Sequence, residues 1–134
     1  MNQKTVQRIK KEQQDNILEE LRREKAAVLT RASWAVEEVI EKMGRIDGEI
    51  QFKLSCLQAV NGHHDSSDLL RRRRLIYEEI NRHVEEFNSC RQKAQLKYYY
   101  LIVTREALGL RRHEMVQKIY RIPDKKKKIE LNNG

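Results

Sequence analysis

The chain has 134 residues, 39% hydrophobic and 36% charged, with a formal net charge of +8. Such a balance fits a long exposed helix pair rather than a thick-cored globule. It also excludes a membrane span, because no run of about 18 apolar residues is present. The opening Met-Asn-Gln-Lys has no signal-peptide core, so a soluble, cytoplasmic chain is expected.

The first predicted element covers about residues 5–60. Val6, Ile9, Ile17, Leu21, Val28, Ala32, Ala35, Val39, Met43, Ile46, Ile50, Leu54 and Leu57 recur every three or four positions, which is one stripe of a helix. Glu24 fills one slot, and from Ile17 onward the steps follow an eleven-residue period. On this helix Ala26–Leu29 and Ala32–Val36, including Trp34, are apolar on more than one face.

A turn at about 61–66 follows, the only internal break expected. Asn61-Gly62 supplies a left-handed helix stop, and Asp65 or Ser66 can cap a new start. His63 and His64 stand beside Asp65, but adjacent histidines rarely converge on a metal without further ligands, so a polar turn is the expectation.

The second helix is predicted over about 67–122. It begins with Asp68 in its first turn and ends before Pro123, the single proline, which cannot continue the hydrogen-bond ladder. Ile80, Val84, Phe87, Arg91, Ala94, Tyr98, Leu101, Arg105, Leu108, Arg112, Met115, Ile119 and Ile122 form a heptad seam. Its three arginines either snorkel out of a two-helix interface or meet an acidic partner. Arg71 to Arg74 point around the whole circumference, with Glu78 and Glu79 placed for i to i+4 pairing. Tyr98, Tyr99 and Tyr100, with Leu101–Val103, make a surface wider than one seam can cover, which together with Trp34 defines an apolar belt open to a partner.

Matched helices and a short connection predict an all-α fold, two long helices in an antiparallel coiled-coil hairpin. Folding at the turn pairs positions whose numbers sum to about 127, which keeps Cys56 and Cys90 tens of ångströms apart and reduced. Both termini then share one end. Residues 1–11 carry four basic and no acidic groups, residues 88–134 twelve basic and four acidic, and residues 12–87 twelve basic and sixteen acidic. The terminal end is strongly basic, and the tail at 123–134 adds Lys125 to Lys128. Those lysines suit a solvated tail, an acidic protein surface, or nucleic acid or membrane. No nucleic-acid fold signature accompanies them, so nucleic acid is the less favoured of these partners.

No nucleophile and base pair, no paired carboxylates and no Gly-rich phosphate loop would be assembled by a hairpin, so no catalytic residue, metal or cofactor is assigned and a non-enzymatic role is expected. The segment Asp68-Leu69-Leu70-Arg71-Arg72-Arg73-Arg74-Leu75-Ile76-Tyr77-Glu78-Glu79-Ile80 and the Arg/Lys-rich, aromatic run from Lys97 to Arg121 give the chain a layout that resembles the stalk proteins of type III secretion and flagellar export, the YscO/FliJ-like family. The resemblance spans nearly the whole chain and rests on layout; the lysine tail and Tyr98–Tyr100 lie outside it.

That resemblance implies a monomeric hairpin acting as the stalk of a hexameric export ATPase, linking the ATPase ring to the export gate. The ring-facing basic end would carry Lys4, Arg8, Lys10, Lys11, Arg111, Arg112, Lys118 and Arg121. The gate-facing turn end would present Phe52, Leu54, Leu57, Leu69, Leu70 and Ile76. A coiled-coil subunit of a multiprotein scaffold, docking through Trp34 and Tyr98, and a basic nucleic-acid-binding helical protein are the alternatives.

Overall fold

The computed structural model describes residues 2–61 and 67–130. Three helices follow in order: α1 (Gln3–Asn61), α2 (Ser67–Ala107) and α3 (Glu114–Ile119). The two long helices pack against each other as the expected all-α hairpin. Gly62, His63, His64, Asp65 and Ser66, which carry most of the predicted turn, lie outside the described residues, as do the last four residues of the tail.

The seam is built from the stripes that the sequence displays. Met43, Ile46, Ile50 and Leu57 of α1 and Ile80, Val84, Phe87, Cys90 and Ala94 of α2 form one buried cluster, with Val39, Leu54, Ile76 and Tyr77 packed against it. Buried side chains of this kind each contribute about 1.5–3 kcal/mol relative to exposure. Cys56 and Cys90 are free thiols. The cross-helix contacts Lys53–Glu79 (2.6 Å) and His83–Glu49 (3.4 Å) mark the register. Paired numbers therefore sum to 132, not about 127, which moves Trp34 level with Tyr98 and away from Lys93.

The second helix departs from expectation at its end. It stops at Ala107 rather than running to about 122. Gly109 takes a left-handed φ of 88°, Gly109 N–H donates to the Glu106 carbonyl at 3.0 Å and Leu110 N–H to the Arg105 carbonyl at 2.9 Å. This is a Schellman closure, in which glycine adopts without a Cβ penalty the conformation that satisfies the last carbonyls. The heptad spacing of Leu108, Arg112, Met115 and Ile119 continues past this stop, but periodicity states which face would be buried, not whether the backbone continues. Beyond the turn, α3 folds back onto the hairpin, where Val116 joins Val36 and Leu101 in a second small core.

The helices are therefore unequal, at 59 and 41 residues. The shared register puts the end of α2 level with about residue 25, so the first part of α1 projects as a single helix about 35 Å long at 1.5 Å per residue. No residue before Leu29 is even half-buried among those described. Asn2 caps the start: its side-chain oxygen accepts from Lys4 N–H at 3.3 Å, and its carbonyl takes the Thr5 and Val6 amides.

Candidate functional site

After α3 the chain does not leave the rod as a solvated tail. It runs back toward the turn end, antiparallel to α2, and lies in the groove between the two long helices. Arg91 Nε donates to the Pro123 carbonyl at 2.9 Å. Asn88 grips Lys126 twice, donating from Nδ2 to its carbonyl at 2.9 Å and accepting its N–H on Oδ1 at 2.9 Å. Asn81 repeats the arrangement on Ile129, donating at 3.0 Å and accepting at 2.8 Å. Asn81 and Asn88 stand one heptad apart, about 10.5 Å along a helix. Three residues cover that distance only when nearly fully extended, at about 3.3–3.6 Å each. The segment from Lys126 to Ile129 is thus a single strand-like chain read by two side-chain amides.

Side chains complete the clamp. Lys126 Nζ lies 2.6 Å from Asp47 Oδ1 on α1 and 4.8 Å from the Phe87 ring centroid on α2, so one ammonium satisfies an ion pair and a cation–π contact together. The hydrogen bond from Lys126 holds the Asp47 carboxyl below the usual carboxylate range, against an opposing push from burial. Lys128 pairs with Glu85, whose carboxyl is likewise held low by that hydrogen bond. Ile122 and Ile129 pack as half-buried anchors on the main core. At the groove's entrance Tyr120 Oη donates to Glu37 Oε1 at 2.9 Å; burial, then the Glu37 carboxylate, raises its phenol above the ordinary value.

Two seam arginines take a further role. Arg91 holds the returning segment, and Arg105 donates from Nε to His113 Nδ1 at 3.2 Å and from Nη2 to the Arg112 carbonyl at 2.9 Å. Their ends reach out of the two-helix seam and fasten this chain's own backbone. Arg112 is exposed.

The expected basic end is divided. Lys4, Arg8, Lys10 and Lys11 are exposed on the projecting helix. Arg111 and Arg112 sit past the end of α2, while Lys118 and Arg121 flank contacts to Val36 and Glu37, about 38 Å along α1 from Lys11. The turn-end set divides too. Leu57 belongs to the core and Leu54 and Ile76 pack against it, Leu69 is half-buried, and Phe52 (70% exposed) and Leu70 face outward. Of the belt, Tyr98 packs against the Val36–Leu101–Val116 core, leaving Trp34, Tyr99 and Tyr100 exposed. The Tyr99 and Tyr100 rings stand 6.0 Å apart at 55°.

Asn81, Asn88, Asp47 and Phe87 are the residues that sequence reasoning missed as a site. A signal existed: asparagine is a poor helix-interior residue, and here two occur a heptad apart, each beside a seam position, Ile80 and Phe87. Among the described residues no three His, Cys, Asp or Glu side chains gather to hold a metal, and no helix is long and apolar enough to cross a membrane. No family model, curated protein or solved structure matches the chain.

Proposed function

We infer that this chain is a non-catalytic helical adaptor, and that the projecting start of α1 is the part that engages a protein partner, as the stalk of a hexameric export ATPase does. One observation carries the reading: Val6, Ile9, Ile17 and Leu21 continue the hairpin's apolar stripe along a helix to which nothing else in the described chain is packed. A single helix about 10–12 Å across is narrow enough to enter the opening of a ring, and Lys4, Arg8, Lys10 and Lys11 surround its tip with positive charge. The stalk reading thus places the ring-facing end on α1 alone, not on the two termini together. Phe52 and Leu70, exposed at the opposite end, are the side chains offered to a gate protein.

The test is to mix the purified chain with the export ATPase and measure co-elution and ATP turnover. Association with raised turnover, lost when residues 2–25 are deleted, is the expected result. No association, or stimulation that persists without the arm, overturns it. The scaffold-subunit reading draws on the exposure of Trp34, Tyr99 and Tyr100; it expects the W34A/Y99A/Y100A chain to lose its place in a complex that the arm deletion leaves intact. Nucleic-acid binding through the tail has less to draw on, because Lys126 and Lys128 are engaged by Asp47 and Glu85.

A further inference from the structure

We propose that the α1–α2 groove is a receptor for an extended peptide with a central lysine flanked by apolar residues four positions before and three after, and that residues 122–129 are its displaceable resident. This does not depend on the stalk reading. Asn81 and Asn88 hydrogen-bond the backbone of the segment, each through one donor and one acceptor on a single residue. Such pairing reads any chain that is extended and correctly phased, whatever its side chains, as a sheet edge does. The phase is built in, since a heptad of helix and three residues of extended chain have nearly the same length.

Selectivity then falls to three places. The Asp47 carboxylate and the Phe87 ring form a slot for a cation on a flexible stem. The core margin receives an apolar side chain on either side of it, here Ile122 and Ile129. Between these points the side chains of Pro123, Asp124, Lys125 and Lys127 are exposed, and Lys128 reaches across the surface to Glu85. The contacts that hold the segment, from Arg91, Asn88, Asn81, Asp47 and Glu85, lie outside the α1–α2 seam, so it exchanges by local release, without opening the hairpin core beneath. The ligand chemistry is defined by what is seated: an extended segment of the form apolar-x-x-x-Lys-x-x-apolar.

The experiment uses the full chain and a fluorescent synthetic peptide of residues 120–130. Lys126→Glu sets an acid against Asp47 and expels the resident segment while leaving the groove unaltered. Anisotropy titration is expected to show at least tenfold tighter binding of the wild-type peptide to the K126E chain than to the wild-type chain. N81A/N88A added to K126E removes that gain, and a peptide carrying the same K126E change does not bind. Circular dichroism checks that the hairpin persists. The reciprocal pair, a D47K chain with the K126E peptide, supplies a second route if K126E loses helicity.

Sedimentation separates a monomer that captures peptide from copies that trade tails; both use the groove. Failure of both pairs to bind, or binding indifferent to the asparagines, overturns the proposal.

Discussion

Two stretches of α1 share one stripe and have different fates. From Val36 to Leu57 the stripe is buried by α2, α3 and the returning segment; from Val6 to Val28 the same spacing faces solvent. Sequence periodicity alone does not separate them. The difference lies in what else the chain can place nearby: α2 turns off at Gly109, level with the point where the arm begins. A helix stripe thus marks a surface that needs a cover, and the position of a distant glycine decides which part is covered within the chain.

The sharpest break of that comparison is Ile80→Ala against Ile17→Ala. Ile80 is fully buried and Ile17 is 63% exposed. Denaturant unfolding of the hairpin should lose about 2–5 kcal/mol with Ile80→Ala, and change by no more than about 0.5 kcal/mol with Ile17→Ala. A comparable loss at Ile17 would mean that the arm is covered in solution.

Next in size are the groove asparagines. Asn88→Ala strands the N–H and carbonyl of Lys126 in a half-buried site, a cost of about 1–3 kcal/mol to segment docking. Amide exchange at Lys126 and Ile129 should accelerate while the amides of α2 near Val84 keep their protection. Gly109→Ala puts a Cβ on a left-handed residue at about 1–2 kcal/mol; nothing crowds that position, so the cost is conformational. The melting temperature should fall, and the cluster at Val36, Leu101 and Val116 should loosen before the main core does.

Acid has the smallest effect over the ordinary working range. Asp47 titrates lower when the segment is docked than when it is free, because Lys126 hydrogen-bonds it. Its contribution is therefore fully present above the unfolded carboxylate value and disappears as pH falls through the lower docked value. Chemical shifts of the Lys126 and Ile129 amides should stay constant from neutrality to the usual carboxylate range and move only below it. Loosening near neutrality would point to a different group.

Much of the fold was legible because it is a matter of local chemistry repeated many times. Sparse glycine and proline, helix formers, and two apolar stripes separated by one turn require two helices, and their burial requires that the helices meet. That much of the hairpin, including the membership of Ile80, Val84 and Phe87 in its core, belongs to the sequence. The stop at Ala107 rests on Gly109, while the heptad spacing runs on through it, since spacing and backbone continuity are separate properties. The groove was out of reach for another reason. The match between Asn81–Asn88 and Lys126–Ile129 depends on residues 38 and 48 positions apart lying side by side in one register. Only the tertiary structure sets that register, by packing α1 on α2 so that Asn81 and Asn88 face the backbone of an extended segment.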